Sequence, residues 1–346
     1  MAFVQAAVYN AVVAIEGGYE PYGRGVAPRR GASVDAAVAT AAHDVLVHYF
    51  PARAEQLDAD RAAALAEIPD GRAEDRGAAV GREAAEQIIA RRAGDGWFAD
   101  IGFTMPAPAP GVWQLPAGGA PLVPWLSRLR PFTLRRPDQF RPGPPPALSS
   151  RRYAKDRAEV ESVGKVDSTK RSAEQTLIAR FYTSHVAAQY NTAYRDLAVG
   201  RKLDAMQAAR LIAMGNVVGA DALIACFDAK YHYLFWRPVF AIPGFTPLLP
   251  TPAHPEYPSA HSCVTFAQSS VLKRFLGTRR IHVDLRSFPT NPEMPVRHFA
   301  TVADLRREIV NARVWGGIHF RFSNEIGGAL GDRVASWALD RFFRPA

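Results

Sequence analysis

The chain has 346 residues, 48% of them hydrophobic and 22% charged, enough to bury a substantial core, which excludes a disordered protein. The net charge of +9 comes from arginines scattered through alanine-rich segments, not grouped with aromatics; this argues against nucleic acid as a partner and suits a cleft that attracts small anions. No run of eighteen or more apolar residues occurs, so no membrane span is expected.

Residues 3–15 read as an amphipathic helix ended by Gly17-Gly18. It lacks basic residues ahead of it, and Gln5, Tyr9 and Asn10 interrupt its apolar run, so it does not read as a signal peptide. A chain that opens inside a helix without a cap suggests an absent upstream segment. Cytoplasmic residence is the default expectation, and secretion follows if that segment carried a signal. A second helix starts at Ser33, a good N-cap, with Val34, Ala37, Val38, Ala41 and Val45 on one side. His43 and His48 lie on it without a partner motif and read as surface or core-edge residues. Alanine-rich helices follow over about 52–67 and 73–92.

From 94 to 150 periodicity gives way to Pro, Gly and aromatic residues. Trp97, Phe98, Trp113, Trp125, Phe132 and Phe140 predict a loop that wraps the domain, since a disordered linker is poor in aromatics. Helices resume near Tyr153, from about Ser172 to Leu197, and from about Ala205 to Tyr231; the last is apolar nearly all round and carries Lys230 at its far end. Further helices run from Ser259 to about Phe275, from about Thr301 to Val314, and from about Ser323 to Phe343, with a loop holding Pro289, Pro292 and Pro295 before the second of these. Cys226 and Cys263 fall in apolar helical stretches and read as buried reduced thiols. No strand pattern stands out. The expected architecture is an all-α helical bundle, one domain over 1–346, with a long Pro-rich wrapping loop and an active-site segment over 228–323.

Three pieces of that segment carry chemistry. Lys230 and Arg237 stand seven positions apart, almost two helical turns, so both point from one face at a helix end, where Pro238 disfavours helical geometry for Arg237. Pro258-Ser259-Ala260-His261 opens an apolar helix whose first amides have no partner within it. Near the C-terminus, Arg313 and His319 add a cation and an imidazole. A deep helix ending in fixed cations implies a compensating anion; the alternative is ion pairing with Asp221, Asp228 or Glu256.

In this order, Lys-x6-Arg-Pro, Pro-Ser-Ala-His and Arg-x5-His resemble the signature of the type-2 acid phosphatase and vanadium haloperoxidase superfamily. Pro137-Asp-Gln-Phe-Arg-Pro142 is similar to a stretch of the bacterial haloperoxidase branch, which extends the likeness over much of the chain. The resemblance implies a helical bundle with a vanadate cofactor, whose site phosphate can also occupy. His319 would bond the metal. Lys230, Arg237 and Arg313, with the Ser259 hydroxyl and the Ala260 amide, would hold oxygens, and His261 would be the acid–base group. The substrates implied are hydrogen peroxide, a halide and a small organic acceptor, and a homodimer stays open. His254 stands where chloride-oxidising members tend to carry Phe and bromide- or iodide-oxidising ones His, which favours bromide or iodide.

The chain departs from the family at Ala260 (usually Gly), Ala312 (usually Ser) and Ser323, where an Asp usually backs the metal-bonded histidine. Either His319 lacks an orienting partner, or another group such as a backbone carbonyl supplies one. Glu308, five before Arg313, matches an acid of the branch or faces solvent. An acid phosphatase with a phosphohistidine intermediate is the alternative enzyme, and a non-catalytic anion-binding helical protein the second alternative.

Overall fold

The structure, a computed structural model, describes residues 1–116, 118–288 and 293–346; Pro289 and Pro292 of the expected loop lie outside the described residues. The backbone divides into two compact units. The first comprises Met1–Asp95, Tyr194–Val217 and Ala338–Ala346, and the second Gly96–Ala193 and Val218–Trp337.

In the first unit α1 (Ala2–Glu16), α2 (Val34–Tyr49) and α4 (Arg72–Arg92) pack together, with α3 (Ala54–Ala66) beside α2. Ser33 caps α2 as expected, its Oγ accepting from the Ala36 amide. The helices approach closely because α4 presents glycines: a Cβ on Gly81 would stand 2.4 Å from the Ala37 carbonyl oxygen. Buried Asn10 satisfies both hydrogen-bonding groups on the backbone of Tyr22, donating to its carbonyl at 2.9 Å and accepting from its amide at 2.7 Å.

The second unit is built from α5 (Arg151–Val163), α6 (Ala173–Phe181), the start of α7 (Val186–Gly200), the end of α8 (Ala205–Tyr233), α9 (Pro238–Ala241), α10 (Ala260–Leu276), α11 (Val302–Trp315) and α12 (Arg321–Leu339). By length and composition α8 is long and apolar enough to cross a membrane, a feature the sequence reading did not note; 78% of its apolar window is buried within the protein, which accounts for that composition.

Two expectations are corrected. The single helix over 172–197 is broken at Tyr182–His185 into α6 and α7, where the Thr183 hydroxyl donates to the Arg180 carbonyl at 2.8 Å and competes with helical bonding. The region expected to lack strands holds an antiparallel pair, β1 (Arg280–Arg286) and β2 (Val296–Thr301), with Asp284 opposite His298. Ile281, Val283 and Leu285 alternate inward along β1, the period-2 signal of a half-buried strand.

The proline-rich segment wraps as expected. Buried Asp221 of α8 receives the amides of Phe132, Thr133 and Leu134, and Trp337 Nε1 donates to the Thr133 carbonyl at 3.0 Å. The Trp113 amide donates to the Leu234 carbonyl at 2.6 Å, and the Tyr257 hydroxyl to the Gly143 carbonyl at 2.7 Å. These ties carry the loop across the end of α8 where Lys230 sits.

Candidate active site

Lys230, Arg237, His254, Ser259, Ala260, His261, Arg313 and His319 all lie in the second unit. Helix α8 ends at Tyr233, four residues short of Arg237, and Leu234 takes a left-handed φ of 48°. Arg237 therefore enters from extended backbone as the N-cap of α9, not from the α8 face, yet both side chains are fully buried. Ser259 is the N-cap of α10, and its amide donates to the Ser323 carbonyl at 3.0 Å, tying the starts of α10 and α12. Glycines of α12 bring that helix against α10: a Cβ on Gly327 would stand 2.5 Å from the Ser259 carbonyl oxygen, and one on Gly331 2.0 Å from that of Cys263. Cys226 and Cys263 are buried free thiols, as expected.

The cations are met mainly by main-chain carbonyls. Lys230 Nζ donates to Pro255 O at 2.7 Å and Glu256 O at 2.9 Å. The Arg237 guanidinium donates to the carbonyls of His254 and Ile318, the latter at 2.7 Å, and lies 3.1 Å from His319 Nε2 and 3.0 Å from His254 Nδ1. Arg313 Nη1 donates to the Tyr182 carbonyl at 3.0 Å, where the helix break has left that oxygen free. Among the described residues, no carboxylate forms an ion pair with Lys230, Arg237 or Arg313, so the ion-pairing alternative does not hold: Asp221 takes loop amides, Asp228 pairs with Arg141, and Glu256 turns to His319. Burial pushes Lys230 down to about 7, Arg237 to about 10 and Arg313 to about 9.

His319 is buried, and its Nδ1 lies 2.8 Å from Glu256 Oε1, which also accepts the Phe320 amide at 3.0 Å. Burial, then the positive charges of Arg237, Lys230 and Arg313, hold the imidazole well below the usual histidine range; it is neutral, with Nδ1–H donated to the carboxylate. Burial raises the Glu256 carboxyl to about 7. The half-buried His261 makes no hydrogen bond among the described residues, and burial followed by Arg313, Lys230 and Arg237 keeps it neutral too. The His254 ring lies 5.2 Å from that of Phe227.

Sequence reasoning missed Glu256 as a partner of His319, although it lies inside the His-Pro-Glu-Tyr-Pro-Ser-Ala-His segment, and missed the Tyr182 carbonyl altogether. Glu308 does not face solvent: it binds Arg297 through both its oxygens and accepts the Tyr182 hydroxyl at 3.0 Å, so it steadies the residue that receives Arg313.

Among the described residues, three polar atoms buried at the site have no hydrogen-bond partner: Ser259 Oγ, Arg313 Nε and Glu256 Oε2. An unpartnered hydroxyl and guanidinium N–H, with two further buried cations and a neutral imidazole nitrogen, form a donor set that fits a tetrahedral oxyanion such as vanadate or phosphate.

Residues 243–345 match the family model of the VCPO second helical-bundle domain. No curated protein matches the chain in sequence. Among solved structures, the chain is similar to the first bacterial vanadium-dependent iodoperoxidase, with a TM-score of 0.85 and 25% identity, covering 99% of this chain and 90% of that one. It also shares the fold of a bacterial vanadium-dependent chloroperoxidase in its apo form, with a TM-score of 0.79 and 18% identity over 98% of this chain and 91% of that one.

Proposed function

We propose that this chain, similar in fold to a bacterial vanadium-dependent iodoperoxidase and matched over residues 243–345 by the VCPO helical-bundle family, holds vanadate and uses hydrogen peroxide to oxidise bromide or iodide to a hypohalous species, which halogenates a small organic acceptor. The observation that carries this reading is the set of three buried cations without carboxylate partners among the described residues, one of them against His319 and all three acting on its charge. When bound, vanadate supplies Lewis acidity toward peroxide. His319 offers it the Nε2 lone pair. Lys230, Arg237 and Arg313 offset the charge on its oxygens, with the Ser259 hydroxyl and the Ala260 amide as neutral donors. His261, neutral and without a hydrogen bond among the described residues, takes the proton that peroxide gives up on binding.

The halide preference rests on His254, whose imidazole is packed on Phe227 and fixed by Arg237, and agrees with the likeness to the iodoperoxidase. A peroxide and halide assay on the purified protein, before and after adding orthovanadate, tests the reading. Vanadate-dependent oxidation of bromide or iodide is expected; hydrolysis of an aryl phosphate with no such oxidation would replace it with the phosphatase.

A further inference from the structure

Position 323, four residues after His319, carries a serine whose Oγ donates to the main-chain carbonyl of Glu256 at 3.3 Å, not to the imidazole. The imidazole finds its carboxylate from 63 residues upstream. Glu256 is fully buried, and its Oε1 receives two donors that belong to consecutive residues, His319 Nδ1–H and the Phe320 amide. The Phe320 amide fixes where that oxygen sits, and the imidazole N–H then has one direction in which to point. With Nδ1–H committed, the lone pair is on Nε2, facing Arg237 Nη1 at 3.1 Å.

The arrangement costs stability, because a carboxyl group is kept in the interior with Oε2 unpartnered among the described residues. A residue needed only for packing would carry no charge there. We propose that Glu256 is the positioning residue for His319: it selects the tautomer, aims Nε2 into the cluster of cations and makes that nitrogen a stronger donor to a bound vanadate. The proposal takes the haloperoxidase reading as its basis. It also makes position 323 a second place from which an acid can reach the imidazole, since the Ser323 hydroxyl already touches residue 256.

The test uses the whole chain with orthovanadate as the probe. Calorimetric titrations compare the unaltered protein with E256Q, E256A and E256A/S323D, and thermal unfolding establishes that each is folded. Nitrogen-15 spectra of the imidazole, assigned with H319Q, report the tautomer without any vanadate. The unaltered protein should show the Nδ1–H tautomer alone. E256A should mix tautomers and bind vanadate about 10- to 100-fold more weakly, the usual effect of removing a partner of a metal-bonded histidine. E256Q, which keeps an acceptor but no charge, should hold the tautomer and lose about tenfold. S323D should recover most of the loss in the E256A background. A folded E256A with unaltered tautomer and affinity overturns the proposal, and if E256A does not fold, unaltered affinity in E256Q does so. If the unaltered protein binds no vanadate while E256A still loses the Nδ1–H tautomer, positioning by Glu256 stands and the haloperoxidase reading falls.

Discussion

Lys230 Nζ donates to the main-chain carbonyl of Glu256 at 2.9 Å, and no carboxylate among the described residues pairs with the same ammonium. A carbonyl orients the cation but does not neutralise it, so burial lowers Lys230 from the usual 10.5 to about 7.

The sign of the resulting pH dependence is fixed. An oxyanion needs the ammonium form, which is present in the empty protein below about pH 7 and is lost as pH rises through that value. Each pH unit above it should weaken Lys230's contribution by up to about tenfold, until the raised pKa of the bound state is reached. K230M should therefore bind orthovanadate about 10- to 100-fold more weakly than the unaltered protein at pH 6, the worth of a hydrogen bond from a charged group. By pH 9 the gap should narrow. Taking the ratio of the two proteins at each pH cancels the titration of vanadate itself; a ratio independent of pH would show that Lys230 stays charged throughout.

His319→Ala should abolish vanadate retention, because the nitrogen aimed into the cluster by Glu256 is gone and the remaining contacts are ionic. His261→Ala should retain the anion and lose turnover. Bound vanadium measured after gel filtration separates the two, and equal retention would exchange or merge their roles.

At His254 the expected outcome concerns selectivity. The imidazole Nδ1 lies 3.0 Å from Arg237 Nη2 and 3.1 Å from the Pro255 carbonyl, so the ring is anchored by its polar edge. His254→Phe removes that anchor while keeping an aromatic ring against Phe227. Bromide or iodide turnover should fall relative to chloride turnover, read as the ratio of kcat/KM values. Robust chloride oxidation by the unaltered enzyme would remove the basis for this expectation.

A fourth prediction concerns the helix contact behind the site. Gly327→Ala places a methyl 2.5 Å from the Ser259 carbonyl oxygen, a backbone atom that cannot rotate away. Overpacking of this kind costs about 1–3 kcal/mol, and the shift falls on Ser259, whose buried hydroxyl has no partner among the described residues. Denaturant midpoints and vanadate affinity should drop together. Gly143→Ala, with nothing within 4 Å of the added methyl, is the control and should change neither.

The three motifs were legible because each is local: spacing along a helix, a proline after an arginine, a serine at a helix start. Their partners are tertiary. Glu256 was visible in sequence only as a candidate ion-pair partner for cations, and its role at His319 depends on α12 being drawn to α10 by Gly327 and Gly331, a contact that no helical period encodes. Ser259 was placed correctly at the helix start, but its hydroxyl makes no cap bond and has no partner among the described residues, a state that favours a ligand over local helix stabilisation. The break at Tyr182 was hidden because the residues on both sides of it keep helical composition, and the strand alternation at 281–285 was overlooked beside a proline-rich stretch.

The hydrogen bonds that define the site join residues distant along the chain: Arg313 to Tyr182 across 131 positions, Arg237 to Ile318 across 81 and His319 to Glu256 across 63. Such contacts close large loops, and each carries the entropic cost of bringing remote segments together. The stretch from Lys230 to His261 carries most of the cluster, but Arg313 and His319 join it only when the segment beyond residue 300 has docked, so full capture of an oxyanion during refolding would mark the arrival of that last segment.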